Sequence, residues 1–321
     1  MFERSPRRVA RLAVECTVRR AIITVLAVIR LGRPLFLGGG FILYGLGAAI
    51  AAWHGHAIDL ARYVWGQLAV TAFQLMTHYA NDYFDYEADR ANTTPTQWSG
   101  GSRVLVGGEL PRRVALIAAL ILAALGVAAS LVVVREAGTW VLPTLVAMGV
   151  LAWEYSAPPL RLCATGLGEL DTAIVVTGLV PWLGFALQAP DRIGLRTLVL
   201  AIIPLALLQL AMLLAIEFPD AASDQATGKR TLVVRLGATR AAWLYVALTL
   251  AAYAWLPLAV LFGLPLHVAL VAALPAPVAL WRVIRIADHR DPAAFERLTL
   301  FAVALLVMTS AAELVSFTLI P

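Results

Sequence analysis

Long apolar runs separated by breakers predict nine helical spans, near 35–53, 58–80, 114–134, 139–157, 167–189, 195–217, 241–264, 266–284 and 298–320. Each is about long enough to cross a bilayer, and each must be helical because lipid offers backbone groups no partner. The connections are unequal. Residues 81–113 and 218–240 are long and polar, while the others are short turns such as Arg135 to Gly138 and Phe262 to Pro265. Ahead of the first span, Arg4, Arg8, Arg11, Glu15 and Arg19 share a helical face opposite Val9, Leu12, Val14 and Val18, which predicts a short helix lying on the membrane surface. The chain therefore reads as an amphipathic arm, 1–21, followed by a single all-α, polytopic membrane domain of nine transmembrane helices, 22–321.

Composition supports this pattern. Of 321 residues, 61% are hydrophobic and 14% charged, against roughly a quarter charged in soluble domains, so a soluble globular protein is excluded. The net charge of +5 could suggest a nucleic-acid binder, but that function needs a basic face on a folded soluble surface. Here the basic residues lie between apolar segments, where they set topology and touch anionic lipid. With the N-terminus in the cytoplasm, every basic residue except Arg62, Arg135, Arg192 and Arg196 falls inside. Both long polar loops then face the cytoplasm of a multi-pass cell-membrane protein. Cys16 and Cys163 are too far apart in sequence to spell out a zinc set or a redox pair, and read as incidental. No cleavage site follows the arginine-rich arm, so no removed signal peptide is expected.

Two stretches carry the candidate chemistry. Span two ends in HYANDYFDYEAD, which places Asp82, Asp85 and Asp89 on one face of a helix leaving the bilayer. Span six ends with Glu217, Asp220 and Asp224 in EFPDAASD. A shift of 135 residues superimposes Gln74, Asp82, Asp85 and Asp89 on Gln209, Glu217, Asp220 and Asp224, which predicts two four-helix halves plus a ninth helix. Like charges on one face repel, and each ionised side chain near the bilayer centre costs roughly 2.5–3.5 kcal/mol. Hard divalent cations offset that cost: Mg²⁺ prefers oxygen ligands and completes its shell with water and substrate phosphate. Two acidic helix ends with Mg²⁺ form a diphosphate site, since a diphosphate approaches carboxylates only where metal reverses the local charge. The alternative is that these acids are solvated helix ends. Basic groups follow each cluster: Arg103 in WSGGSRVLVGG, and Lys229 and Arg230 in GKRTLVVRLG. Gly100 and Gly101 let chain and guanidinium approach phosphate oxygens.

These residues resemble the UbiA superfamily of intramembrane prenyltransferases. NDYFDYEAD is similar to that family's first Asp-rich motif and DAASDQATGKRTLVVRLG to its second. YSAPPLRL followed by GLGEL is similar to the segment after span four in members that prenylate 1,4-dihydroxy-2-naphthoate on the way to menaquinone. The resemblance implies a helical bundle around a central cavity. It also implies Mg²⁺ held by Asp82, Asp85, Asp89, Glu217, Asp220 and Asp224. A polyprenyl diphosphate would be bound by Asn81, Arg103, Arg161, Lys229 and Arg230, and Tyr155 would stand near the allylic carbon. The sequence departs from the family where Pro219 replaces a basic residue, Glu217 stands where Asn is common, and RPLF replaces RPKT at Arg33 to Phe36. The implied reaction transfers a polyprenyl group to an aromatic acceptor, with 4-hydroxybenzoate, homogentisate, chlorophyllide or protohaem as alternatives to the naphthoate. Tyr155, Lys229, Asp82 and Asp220 would carry it. No nucleic acid is expected as a partner.

Other polar positions are ambiguous. His78, one turn before Asp82, either faces the cavity and binds substrate or is a buried histidine satisfied by a neighbouring helix. Gln74 and Gln209 read as interhelical hydrogen-bond partners, Glu169 and Asp171 as acids favoured at the start of span five. Glu154 could touch the acceptor or face headgroups, and Trp98 is singled out by its place beside the glycine-rich loop. Two other functions compete. A CDP-alcohol phosphatidyltransferase would need Gly after Asp85, where Tyr86 stands. A transporter with repeated halves would carry its acids mid-span rather than at helix ends.

Overall fold

A computed structural model describes residue 19 and residues 22–319, so the predicted surface arm at 1–21 lies, Arg19 apart, outside the described residues. Among the described residues every regular element is helical. In chain order they are α1 (Ile22–Leu31), α2 (Pro34–Trp53), α3 (Leu60–Phe84), α4 (Tyr86–Ala91), α5 (Arg112–Ala137), α6 (Leu142–Glu154) and α7 (Gly168–Ala186). The second half follows as α8 (Leu195–Glu217), α9 (Ala221–Ala226), α10 (Leu232–Leu236), α11 (Ala238–Leu261), α12 (Leu266–Ala272), α13 (Ala276–Ile284) and α14 (Phe295–Leu319).

Helices occupy all nine predicted segments, but fewer qualify as spans on length and apolarity. Six do among the described residues, or seven if α12 and α13, bent by 42°, form one span. α3 is long enough, with 25 residues. It falls short in apolarity because Gln74, Thr77, His78 and Asn81 line one face. α6 falls short in length, since even with the preceding turn it runs only from Thr139 to Glu154. The bend between α12 and α13 falls at Pro275, where a ring replaces the amide hydrogen of a continuing helix. These apolar helices make a multi-pass membrane protein.

Packing brings backbones close where side chains are smallest. A Cβ on Gly184 of α7 would lie 2.1 Å from the Tyr44 carbonyl oxygen of α2, and one on Gly47 of α2 would lie 1.9 Å from that of Pro181. Glycine at both positions is what permits this crossing. Pro204 inside α8 cannot donate to the Leu200 carbonyl, and the Trp255 indole of α11 does so instead at 3.0 Å. On the outside, α5 exposes Ile117, Leu120, Ile121, Leu125 and Leu131, side chains suited to lipid.

Inside the bundle, α2, α3, α6, α7, α8 and α14 enclose a cavity of about 220 Å³. Its wall is largely apolar, with Leu43, Val70, Phe73, Met148, Val176 and Leu306, and Ala173–Leu179 of α7 winds as a π-helix along it. Arg33, Asn81, Tyr155 and Ile216 also line it, so the wall reaches the ends of both acid-bearing helices.

Candidate active site

The site is built from two helix ends and the loops that fold over them. α3 continues four residues past its predicted span, so Asp82 lies in the helix and Asp85 caps its C-terminus. The chain turns there into α4, which carries Asp89. α8 ends the same way at Glu217, and α9 follows with Asp224. The two short helices α4 and α9 pack against each other. The expected convergence of the acidic helix ends is therefore present.

Lys229 is the residue that joins them. Its ammonium lies 2.9 Å from Asp85 Oδ2 and 3.2 Å from Asp224 Oδ1. The loop before it is drawn in by the Lys229 amide donating to the Asp224 carbonyl, and the next residue, Arg230, by its amide donating to Ala164 O, both at 2.9 Å. Asn92, just beyond α4, donates to Asp220 Oδ1 at 2.6 Å, and the Gly100 amide donates to Asp220 Oδ2 at 3.1 Å. The first loop thus reaches across to the second cluster.

Each carboxylate has its own surroundings. Asp82 is buried and accepts from the Arg33 guanidinium and from the amide and hydroxyl of Ser102. Asn81 accepts from Arg33 at 3.0 Å and donates to Asp85 Oδ2 at 2.8 Å and Ser156 Oγ at 3.1 Å. Glu217 accepts from the Val233 amide at 3.3 Å, and Glu169 from that of Leu232 at 2.7 Å. Among the described residues no hydrogen bond reaches the Asp89 carboxylate, and a Cβ on Gly101 would lie 2.1 Å from its Oδ2. With φ at +73°, Gly101 is fitted to this turn twice over, by conformation and by space.

The electrostatics follow from this arrangement. Burial, and then the charge of Asp224, push the Asp220 carboxyl up to about 7 against the pull of the Gly100 amide and Lys229. Burial also raises Asp89 well above the ordinary carboxylate range; Arg33 opposes this, while Asp82, Asp85 and Asp220 reinforce it. For Lys229, burial works against the ammonium, but Asp85, Cys163 and Asp224 outweigh it and hold the group well above the usual lysine value. Asp89 and Asp220 therefore resist ionising where no cation is at hand.

That resistance bears on metal binding. Among the described residues no three His, Cys, Asp or Glu side chains stand ready grouped for an ion, because Arg33, Ser102, Asn92 and Lys229 hold the carboxylates. The donor set nevertheless fits Mg²⁺, which takes one or two carboxylates and fills its shell with water and substrate phosphate. Asp89, without a donor and enclosed by other acids, is the observation that supports the fit.

The remaining predicted residues are distributed unevenly. Tyr155, His78 and Asn81 line the cavity, and His78 Nδ1 pairs with the Gly32 carbonyl at 2.7 Å. Arg103, at φ +63°, donates to the carbonyls of Asp89 and Gly100 and so braces the glycine-rich loop. Arg161 and Arg230 are exposed. Gln74 donates to the Phe36 carbonyl at 2.8 Å as an interhelical partner, and Glu154 accepts from the Leu160 amide at 2.9 Å. Trp98 lies in the cavity wall, edge-on to Phe36 at 5.5 Å. Cys163, which the sequence reading treats as incidental, sits 3.7 Å from Asp85 Oδ2. Arg33, Ser102, Asn92 and Ser156 were not singled out from sequence. The arginine in RPLF and the polar residues between the two motif halves were the signals available.

A helical membrane bundle whose two acid-bearing ends meet at an apolar cavity defines a class of intramembrane transferase, and comparison with known proteins assigns its family. The sequence profile of the UbiA prenyltransferase family matches residues 17–306. The chain belongs to the UbiA prenyltransferase family and is a membrane-embedded prenyltransferase. It is 26% identical over 228 residues to the 1,4-dihydroxy-2-naphthoate octaprenyltransferase of Bacillus subtilis, covering 70% of this chain and 71% of that protein. It is 32% identical over 222 residues to the protein of the same description in Mycobacterium tuberculosis, covering 67% and 72%. A digeranylgeranylglyceryl phosphate synthase of Thermococcus gammatolerans is 32% identical over 163 residues, 51% of this chain and 52% of that protein. The fold matches a UbiA homolog from Archaeoglobus fulgidus bound to GPP and Mg²⁺, with a TM-score of 0.61 at 16% identity, covering 89% of this chain and 99% of that one.

Proposed function

We propose that the protein transfers a polyprenyl group from an isoprenoid diphosphate to an aromatic acceptor, 1,4-dihydroxy-2-naphthoate in menaquinone biosynthesis. The observation that carries this reading is the Lys229 ammonium shared between Asp85 and Asp224, which makes one anion-handling site of the two clusters beside the cavity. The acceptor assignment rests on the two naphthoate prenyltransferases among its relatives and on a cavity walled by Phe36, Phe73, Trp98 and Tyr155. All nine helical segments cross the membrane in this proposal, with both acidic ends and the N-terminus on the cytoplasmic side.

Asp82, Asp85, Asp89, Glu217, Asp220 and Asp224 would hold Mg²⁺. When bound, the metal supplies Lewis acidity that neutralises the departing diphosphate. Lys229 stabilises the same developing charge as the allylic C–O bond breaks, a preorganised electrostatic contribution. Arg103 holds the glycine-rich loop over the site, Asn81 ties Asp85 to Arg33, and Arg161 and Arg230 add positive potential at the entrance. His78 orients the wall beside Asn81. The apolar cavity keeps water from the allylic cation, which would otherwise be quenched to an alcohol. Tyr155 presents its ring to that cation, and the electron-rich acceptor attacks it through carbon.

The test incubates the purified protein in lipid with a polyprenyl diphosphate, Mg²⁺ and a panel of acceptors, identifying products by mass. The panel holds 1,4-dihydroxy-2-naphthoate, 4-hydroxybenzoate, homogentisate and a glyceryl phosphate. The expected result is a Mg²⁺-dependent prenylated naphthoate with one pyrophosphate per product. A product only from another acceptor overturns the acceptor assignment, and no transfer to any acceptor overturns the reaction.

A further inference from the structure

One acid in the cavity wall belongs to neither Asp-rich cluster. Asp171 lies in the first turn of α7, is only 6% exposed, and lines the cavity together with Thr172, Val175 and Tyr155. Its place at a helix start suggests capping, but the cap residue is Leu167 and no side chain caps this helix. Among the described residues no hydrogen bond or ion pair reaches its carboxylate, and Oδ1 is fully buried without a partner. Of the other wall residues, Arg33 Nε and Trp98 Nε1 are also buried without a partner, but both are donors, and several hydroxyls are satisfied within the protein. Thr77 donates to the carbonyls of Phe73 and Ala152, Thr172 to that of Glu169, and Ser310 to that of Leu306.

An unpaired acid in an apolar cavity is costly unless a partner arrives. In the ionised form that can take up a proton, the carboxylate only accepts hydrogen bonds, so its partner there is a donor, and an anion such as diphosphate is repelled. The cations that suit diphosphate, Lys229 and Arg33, sit at the acidic helix ends instead. Resting on the prenyl-transfer reading above, we infer that Asp171 is the acceptor-binding carboxylate: it takes a hydrogen bond from a ring hydroxyl of the aromatic acceptor. As the acceptor attacks, the hydroxyl proton passes to Asp171 and its electron pair enters the ring. The ring carbon bonds to the allylic carbon, whose C–O bond breaks with both electrons leaving on diphosphate. The ring regains aromaticity when the substituent on that carbon leaves without its bonding pair, a hydrogen as a proton taken up by water or a carboxylate as CO2, and Asp171 returns its proton to the oxygen.

The test compares the hydroxylated acceptor with its mono-methyl ethers in wild type, Asp171→Asn and Asp171→Ala, alongside binding of the prenyl diphosphate with Mg²⁺. A site built around a substrate hydroxyl rejects analogues lacking it by large factors. For the wild type we expect kcat/KM to fall by about 100-fold or more with one of the ethers. In Asp171→Ala the hydroxylated acceptor itself should lose about 100-fold, and that ether should lose little more. Asp171→Asn keeps the size and one accepting oxygen but cannot take the proton, so it should lower kcat while changing acceptor KM less than Asp171→Ala does. Prenyl diphosphate affinity should stay within about twofold in both. Unchanged discrimination in Asp171→Ala overturns the inference, and so does loss of prenyl diphosphate binding, which makes Asp171 a support of the bundle. If the wild type binds prenyl diphosphate yet transfers it to no aromatic acceptor, the functional reading itself has failed. If the wild type transfers normally and the variants discriminate as it does, only the role of Asp171 has.

Discussion

The first and second acidic clusters share a spacing but not an environment. At the first, Arg33 sits on Asp82 and Lys229 on Asp85. At the second, Asp220 is met by the neutral amides of Asn92 and Gly100, and Glu217 by the backbone of Val233. Among the described residues, two of the three acids of the first cluster carry a protein cation, Asp89 being the exception, while in the second cluster only Asp224 does. The repeat therefore supplies two copies of an acidic spacing, and the loops differentiate them. In the first cluster Asp82 and Asp85 are held by protein cations, whereas Asp89 and the second cluster's Asp220 are not.

Substitutions can break this asymmetry or sharpen it. Asp82→Ala and Asp220→Ala should each lower prenyl transfer by about 1000-fold or more, because removing one member of a unit disables it; wild-type turnover in either contradicts the assignment. Lys229→Ala should lower kcat by about 100- to 1000-fold, the scale of losing one preorganised donor to a developing anion, as measured by pyrophosphate release at saturating Mg²⁺. Arg33→Met leaves the buried Asp82 unpaired and should destabilise the protein by about 3 kcal/mol, seen as a lower unfolding midpoint in detergent. The Asp82→Asn change in that background should recover part of it. Asn92→Ala removes one hydrogen bond to Asp220 and should cost about 10-fold in turnover, with a higher Mg²⁺ requirement. Arg230→Ala should raise the KM for prenyl diphosphate by no more than about threefold, since an exposed charge is screened by solvent and salt.

The comparison also separates what the sequence could reveal from what it could not. Both acid clusters, their helix-end positions and their pairing were readable from the 3.6-residue period and the 135-residue echo. The count of spans was less secure, because α3 owes its polar face to the cavity and α6 is short. Partners were the least legible. Arg33 belonged to the pattern of arginines that sets topology, and its place in RPLF was the one local signal before α1 and α2 turn it onto Asp82. Lys229 and Asp85 are separated by 144 residues, so their contact is a property of the bundle alone. Asp171 read as a dipole-favoured acid at a helix start. Only its placement in the cavity wall shows that no protein group answers it.

The most direct measurement is calorimetric binding of a non-reactive prenyl diphosphate analogue with Mg²⁺ to wild type, Asp82→Ala, Asp220→Ala and the double variant. If the two helix ends form one site, each single substitution abolishes most of the affinity and the double variant loses little more. Two independent, additive losses, or a single variant that binds as the wild type does, would contradict it.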